Sequence, residues 1–419
     1  MKFKQAMLVY SIAGALAAVS GTAAASGFAL IEQSASGLGN AYAGGAASAE
    51  DASTIFYNPA GMSRLSGKQI AVAVNAIKPS AKFSDTGSAL PAPRPLNGNG
   101  GDAGSLGLVP NAYFSMEATP AMHVGLGINA PFGLQTQYDA NWIGRFQAIK
   151  SKIETINLNP SVSYKLNDAV SIGAGLNYQR ITGELTSAVN LVVAEGASSV
   201  TGSDAAWGFD LGAMFNVSPQ TRVGVAYRSR IKYNISGSVV FTGGVPAANG
   251  PITLAITTPD SFSASAFHQL SDKWDIMGDA SWTGWSVLQQ LNVVRTTGAS
   301  ILTVQENWRD TWRVSVGANY HYNDQWLARV GIAYDQTPVS DAFRTARIPD
   351  GNRTWLSVGG QCKPNKESAV DIGYAHLFVS NASISDLQGA TAFTPGKGNL
   401  VGNYSNSVDI LSVQYTHSF

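Results

Sequence analysis

The segment TRVGVAYRSRIKY carries four basic side chains that could hold an anionic group. Strict alternation along a strand would place all four on one face: Arg222, Arg228, Arg230 and Lys232. Arginine and lysine form charge-assisted hydrogen bonds with carboxylates, which are the strongest polar contacts available to a protein. We therefore take Arg228, Arg230, Lys232 and, from a later strand, Arg313 as candidates for binding a ligand head group. Structural pairing with acidic side chains across strands remains the alternative.

No catalytic or metal-binding pattern accompanies these cations in the sequence. There is no G-x-S-x-G, H-E-x-x-H or P-loop motif, and the five histidines are scattered. The single cysteine, Cys362, cannot form an internal disulfide. We expect no enzyme activity, no metal and no cofactor, although strand faces could still bring a Ser/His pair together.

The N-terminal 25 residues have the organisation of a signal peptide. Lys2 and Lys4 precede a short apolar run that ends in Ala23-Ala24-Ala25. Beyond this segment no apolar run approaches the roughly 18 residues that a spanning helix needs. Removal of the two lysines leaves a slightly acidic chain, which argues against a nucleic-acid partner. We expect an exported protein that lacks residues 1–25.

The exported part of the chain reads as a series of hairpins of similar size. Apolar and polar residues alternate without a break over 156–166 and again over 170–179, with a tight turn between them. Five further short turns follow the same pattern, at Thr119-Pro120, Ser218-Pro219-Gln220, Ser271-Asp272, Asn323-Asp324 and Lys363-Pro364-Asn365. Six turns give twelve strands, and the strands near 68–83 and 408–419 raise the total to fourteen. Short turns at one end and long loops at the other are typical of an all-β, antiparallel outer-membrane β-barrel. A soluble β-sandwich is the alternative.

The last strand supports the barrel interpretation independently. Leu411, Val413, Tyr415 and Phe419 share one face, and the chain stops on an aromatic residue. This resembles the C-terminal signal that the barrel-assembly machinery recognises in outer-membrane proteins, although His417 interrupts the apolar face. We therefore expect that machinery as a partner and the outer membrane as the location.

Several motifs resemble the FadL family of outer-membrane transporters for long-chain fatty acids and other hydrophobic compounds. They are the segments SGLGNAY at 36–42, YNPAG at 57–61, NAPFG at 129–133, WIGRF at 142–146, YDQTPV at 334–339 and RIPDGNRTWLSVG at 347–359. The resemblance implies a plug formed by residues 26–66 inside a barrel formed by residues 67–419, and we expect a monomer. It also implies passive uptake: ligand capture at the extracellular loops, internal binding, and lateral exit through the barrel wall into membrane lipid.

In the family, the lateral exit lies at an inward kink of the third strand. The matching segment here runs from His123 to Leu134, and the residues that would form the kink are Gly125, Gly127, Asn129, Pro131, Phe132 and Gly133. The residues support such a kink, because proline cannot donate to a β-ladder and glycine permits a bulge. Alternatively, Pro131 simply ends the strand at the extracellular rim.

The segment Asn58-Pro59-Ala60, called here the plug turn, is a poor strand former. The resemblance suggests that it contacts the third-strand kink and couples plug movement to exit; a plain turn before the first strand is the alternative. For the ligand pocket, Trp282, Trp285, Trp308 and Phe132 are candidates. Two other functions stay open from sequence alone: a surface adhesin or phage receptor that uses the long loops, and a porin for hydrophilic solutes.

Overall fold

Twenty β-segments form one antiparallel sheet that closes on itself. The computed structural model describes residues 27–191, 194–244, 248–391 and 396–419, so the expected signal peptide lies outside the described residues. The segments are β1 Lys68–Asp85, β2 Gly107–Thr119, β3 Met122–Asn129, β4 Gly133–Gln137, β5 Lys150–Lys165, β6 Val170–Asn190, β7 Glu195–Asn216, β8 Thr221–Arg228, β9 Ile231–Thr242, β10 Gly250–Thr258, β11 Ser261–Gln269, β12 Trp274–Thr283, β13 Gln290–Arg295, β14 Ser300–Gln305, β15 Thr311–His321, β16 Trp326–Asp335, β17 Arg353–Cys362, β18 Ser368–Val379, β19 Ala382–Leu387 and β20 Asn399–Ser418.

These segments make fourteen barrel strands, because six strands are each interrupted once. The interrupted strands are β3/β4, β8/β9, β10/β11, β12/β13, β14/β15 and β18/β19. Neighbouring strands pair antiparallel around the sheet, and β20 pairs with β1 from Gln69↔Ser418 to Asp85↔Gly402 to close it. The prediction of a fourteen-stranded antiparallel barrel is confirmed, and all six predicted tight turns connect consecutive strands.

Alternation along the continuous strands produces an apolar outer face and a polar inner face. Ile156, Leu158 and Val162 of β5 are exposed on the outside, whereas Asn157, Asn159 and Ser161 between them are buried. This is the pattern that a barrel wall in lipid requires. Among the described residues, the helices are too short or too polar to cross a membrane.

Residues 27–67, the described residues before β1, fill the interior of the barrel. They contain three short α-helices, α1 Ala35–Leu38, α2 Gly45–Ser48 and α3 Thr54–Tyr57, and a 3-10 helix at Pro59–Arg64. Two further 3-10 helices, Trp285–Val287 and Asp341–Phe343, lie in connections of the barrel. Most plug side chains are buried, and β1 begins at Lys68, close to the expected boundary after residue 66.

Small wall residues and one buried ion network hold the plug. A Cβ atom added to Gly212 would overlap the side chain of Asn58, and one added to Gly224 would overlap the backbone of Ala46. Close approach of plug and wall therefore requires glycine at both positions. On the other side, the buried Arg329 of β16 is paired with Glu50 of the plug and with Asp371 of β18. Replacing one partner of such a network leaves a buried charge uncompensated.

Candidate functional site

The third barrel strand is interrupted at Ala130–Phe132, between β3 and β4. β3 pairs with β5 as far as Asn129↔Asn157, and β4 resumes at Gly133↔Glu154. Three residues of the third strand therefore lie opposite two residues of β5, which is the arrangement of a β-bulge. Pro131 lies at the centre of this interruption and β4 continues beyond it, so it does not end the strand.

The wall lacks a continuous ladder on the other side of this interruption. β2 pairs with β1 up to Gly107↔Ile77, but it pairs with β3 only from Ala112↔Ile128 downwards. β4 has a ladder with β5 and none with β2, in a region that the structure describes completely. The upper part of β2 and β4 therefore border a gap between the second and third barrel strands.

The start of the described chain covers the interruption from inside. The Leu30 N–H donates to Pro131 O at 2.8 Å, and the Gly133 N–H donates to Phe28 O at 2.9 Å. Phe28 also packs against Trp285, with ring centroids 4.7 Å apart, and against Phe132 at 5.8 Å. Residues 28–30 thus pair, as an additional short strand, with the interrupted part of the third strand.

A cavity of about 170 Å³ lies beside the kink, above the plug. Its apolar lining includes Leu30, Phe56, Pro131, Phe132 and Trp285, and its polar lining includes Asp210, Arg228, Arg313 and Asp335. A cavity of about 150 Å³ is large enough for benzene. The cavity therefore has room for a single aromatic ring or a short piece of an alkyl chain.

Two of the four candidate cations face this cavity. Arg228 donates to Asn177 Oδ1 at 2.5 Å and to Phe56 O at 2.9 Å, and its guanidinium is 3.8 Å from Asp210. Arg313 donates to Ala41 O at 2.7 Å, whereas its Nε is a buried donor that has no partner among the described atoms. Both arginines thus connect the barrel wall to carbonyl groups of the plug.

The expectation that Arg230 and Lys232 also point into the lumen is wrong. Ile231, Tyr233 and Ile235 of β9 belong to the buried internal cluster, and Lys232 between them is exposed. The chain gains one residue at Ser229-Arg230, between β8 and β9, and a shift of one residue exchanges the two faces of a strand. Arg230 is half exposed and pairs with Asp260 at 3.1 Å.

The side chain of Asn58 connects the plug turn to the sixth barrel strand. The Asn58 side chain donates to Ala46 O at 2.7 Å and to Ala213 O of β7 at 3.1 Å, and it accepts from the Ala60 N–H. Pro59 begins the 3-10 helix, and both it and Ala60 pack against Gly173 of β6. The hydrogen bonds of Asn58 therefore go to the sixth barrel strand and not to the third.

Other plug residues contact the third strand. A Cβ atom added to Gly125 would lie 2.6 Å from Met62 Sδ and 2.7 Å from Ile55 Cδ1, and one added to Gly127 would also approach Ile55. Asn129 is buried next to Asn157, whose side-chain amide donates to it at 3.1 Å. The glycines of β3 therefore make room for the plug, below the interruption itself.

Three of the four aromatic pocket candidates meet in one internal cluster. Phe132, Trp285 and Trp308 are buried there together with Phe28. Trp282 points outwards, because it is paired in register with Phe262 and Trp312 on the outer face. Phe28 and Asp210 also line this region, although neither is among the candidates predicted from the sequence. Alternation in the segment WGFDLG, with Asp210 between Phe209 and Leu211, could have identified the latter.

Comparison with known proteins gives a consistent result. The family model described as "Outer membrane protein transport protein (OMPP1/FadL/TodX)" matches residues 16–419. The long-chain fatty acid transport protein of Salmonella typhi is 29% identical over 408 residues, which cover 90% of this chain and 93% of that protein. A Pseudomonas aeruginosa FadL homologue of known structure has a TM-score of 0.87 and 26% identity, with 94% of this chain and 99% of that chain covered. The toluene transporter TbuX of Ralstonia pickettii, at 19% identity and a TM-score of 0.69 over 92% of this chain and 98% of its own, shares the fold.

Proposed function

Because this chain belongs to the OMPP1/FadL/TodX family of outer-membrane transport proteins, we propose that it takes up hydrophobic compounds by lateral release into the membrane. A ligand is captured at the extracellular loops, binds in the internal cavity, and leaves through the gap beside the third-strand kink. The ligand is a long-chain fatty acid or an aromatic hydrocarbon. The protein itself lies in the outer membrane.

The observation that carries this proposal is the position of the cavity next to the gap. Pro131 and Phe132 line the cavity and also form the interruption of the wall. Burial of an alkyl chain contributes about 0.8 kcal/mol per methylene. A route from cavity to lipid that avoids water therefore preserves most of this free energy, whereas a route through an aqueous pore loses it.

For a fatty acid, the head group has a plausible partner in the polar part of the cavity. Arg313 Nε and Trp285 Nε1 are buried donors without a partner in the described part of the chain, and both residues line the cavity. A carboxylate accepts hydrogen bonds from such donors, whereas a hydrocarbon leaves them unused. The size of the cavity suits an aromatic ring directly, and an entire long chain would require residues 28–30 to move.

Uptake measurements test the function. Cells that express the protein should accumulate labelled oleate or labelled toluene faster than cells that lack it. Equal rates for both compounds with and without the protein would refute the proposal.

A pair of arginine variants separates the two ligand classes. Arg313→Gln should lower oleate uptake severalfold and leave toluene uptake unchanged if the ligand is a carboxylate. Arg222→Gln is the matched control, because Arg222 also donates to plug carbonyls, at Ala47 and Ser48, but does not line the cavity. An equal loss of oleate uptake in both variants would show that Arg313 acts only by holding the plug.

A further inference from the structure

The barrel wall has a second interruption, in the seventh and eighth strands. β8 ends at Arg228 and β9 begins at Ile231, while β10 ends at Thr258 and β11 begins at Ser261. The flanking pairs are Arg228↔Ser261 and Ile231↔Thr258. This register places Ser229 opposite Asp260 and Arg230 opposite Pro259. These four residues are all described, and they form no ladder with each other. Pro259 has no N–H group, so pairing cannot be restored there without a change of sequence.

The neighbouring seam with the sixth strand has no ladder between Arg228 and Ser236, apart from one backbone hydrogen bond from the Ser229 N–H to Phe209 O at 2.9 Å. β7 pairs with β8 up to Asp210↔Arg228 and with β9 only from Ser203↔Ser236 onwards. Side chains replace part of the missing ladder: the Phe209 N–H donates to Ser229 Oγ at 2.9 Å, and the Asn234 N–H donates to Asp204 Oδ2 at 2.7 Å. The wall around Ser229-Arg230 therefore lacks a ladder with the eighth strand and is joined to the sixth strand by a single backbone hydrogen bond.

The internal cavity extends to this second interruption. It is lined by Pro131 and Phe132 at the third strand and by Arg228 and Pro259 at the seventh and eighth strands. Leu211, Tyr227 and Phe262 also line it, although Leu211 and Phe262 belong to the outer face, with 48% and 41% of their surface exposed. One cavity thus borders both interruptions of the wall.

Both interruptions lie at the same height in the membrane. Pro131 follows the first residue of β3 by nine positions, and Arg230 follows the first residue of β8 by nine positions. At about 3.3 Å per residue and a strand tilt of about 40°, both lie roughly 20–25 Å from the short turns. This is the outer edge of an apolar band that is about 25 Å tall.

A polar cluster closes the second interruption. Asp260 accepts hydrogen bonds from Arg230 at 3.1 Å and from the Tyr227 hydroxyl at 3.2 Å. The Arg230 side chain is 47% exposed, whereas the Asp260 side chain is buried, with 9% exposed. Opening here breaks side-chain contacts, whereas opening a continuous part of the wall would break several backbone hydrogen bonds.

We propose that the interruption between the seventh and eighth strands is a second lateral opening, closed by Arg230 and Asp260, through which apolar compounds pass between the cavity and the outer part of the bilayer. This inference rests on the proposed function, because it serves the same cavity. The flanking pairs are three residues apart, which leaves about 10 Å along the strands. The opening therefore admits a single aromatic ring or an unbranched alkyl chain.

A reversible disulfide tests the opening. Ser229→Cys with Asp260→Cys, in a Cys362→Ser background, places two cysteines directly opposite each other across the break, at the spacing that a disulfide requires. Oxidation should lower uptake of labelled toluene or oleate at least twofold, and reduction should restore it. The control pair, Ala213→Cys with Val225→Cys, lies in the continuous ladder of β7 and β8 and should transport equally in both states.

Equal uptake by the oxidised and reduced Ser229/Asp260 pair, with normal wild-type transport, would overturn this inference alone. Absence of wild-type transport would overturn the proposed function and this inference together.

A second variant weakens the closure without a cross-link. In liposomes, a cysteine placed in the cavity by Ser263→Cys, again with Cys362→Ser, is labelled with an alkyl maleimide dissolved in the lipid. Added Asp260→Asn should raise the labelling rate at least threefold. Glu184→Gln, which removes an ion pair with Lys150 beside the continuous β5–β6 ladder, should not change it. An unchanged rate in Asp260→Asn would contradict the proposal.

Discussion

At the scale of single residues, the side-chain amide of Asn58 links two parts of the plug to each other and to the barrel wall. The side chain is buried, donates to Ala46 O and Ala213 O, and caps the 3-10 helix at Ala60. Because an alanine at this position offers no donor, both carbonyl oxygens would lose the hydrogen bond from this side chain. Each such loss costs about 1–3 kcal/mol.

We expect Asn58→Ala to loosen the plug and to lower hydrophobic uptake about twofold or more. The amount of folded barrel should stay the same, because the β-ladders do not depend on Asn58. Uptake of labelled oleate and toluene, together with gel mobility before and after heating, measures both quantities. Ser63→Ala is the control, since it removes a half-buried hydrogen bond to Ala60 O in the same helix. Normal uptake in Asn58→Ala would reduce the plug turn to a structural connection.

Glu306 is a buried carboxyl group at the interruption between β14 and β15, in the extracellular part of the tenth barrel strand. The Trp308 indole donates to Glu306 Oε2 at 3.0 Å, while Oε1 has no partner among the described atoms. Burial raises the pKa of Glu306 to about 8 from its usual 4.5, against smaller opposing effects of the Trp308 hydrogen bond and of Arg347. The folded protein therefore binds this proton more tightly than the unfolded chain does.

Stability should consequently fall as the pH rises from about 4.5 to 8, because the ionised form of Glu306 is disfavoured in the folded state. Each pKa unit corresponds to about 1.4 kcal/mol. Glu306→Gln should remove this pH dependence and raise the melting temperature at pH 8 by several degrees, with little change at pH 4.5. Thermal unfolding at the two pH values measures the difference. The same pH dependence in the variant would exclude Glu306 as its source.

At the scale of elements, the kink of the third strand depends on one surplus residue. Ala130, Pro131 and Phe132 lie opposite only Thr155 and Ile156 of β5. Removal of one of the three would match the two strands in length and allow a continuous ladder.

We expect deletion of Ala130 to straighten the third strand, close the gap towards β2 and lower uptake severalfold. Pro131→Ala is the control, since it keeps the number of residues and therefore the bulge. Labelled uptake and the amount of folded barrel are the measurements. Unchanged uptake in a folded deletion variant would argue against lateral exit at this strand. Substitution of Gly125 is a poorer test, because any side chain there collides with Met62 and Ile55.

Alternation of apolar and polar residues predicts the outer and inner faces of the wall where the ladders are continuous. It fails where a strand gains a residue. Over β5 and β6 the two faces follow the sequence directly. In the seventh strand the same rule works as far as Arg228 and then assigns Lys232 to the wrong face, because Ser229-Arg230 shifts the register. The residue types of this dipeptide do not indicate a bulge. The segment Pro259-Asp260 of the paired eighth strand gives the clearer indication, because it places a proline inside a strand.

At the scale of the whole molecule, the plug occupies the lumen through which water and ions would otherwise pass. Turn spacing alone predicts fourteen strands, but the position of residues 26–66 inside the barrel came from family resemblance. Packing of individual plug residues against the wall could not be derived, since it depends on contacts between residues far apart in the chain, such as Glu50 with Arg329.

We expect low conductance for the wild-type protein in a planar bilayer and more frequent openings for Glu50→Gln. Glu50 is the plug's partner for the buried Arg329, and loss of one partner of a buried ion pair costs about 3–5 kcal/mol. Asp168→Asn is the control, because it removes only the exposed ion pair with Lys165 in a short turn. Identical recordings for wild type and Glu50→Gln would show that other contacts hold the plug.

The close fit between the plug and Gly212 and Gly224 also constrains the order of assembly. At these two positions the wall and the plug are so close that a methyl group would not fit between them. A chain segment cannot be threaded into a ring that has no clearance. We therefore expect residues 27–67 to be in place before the last strand, β20, pairs with β1, so that the barrel is built around its plug.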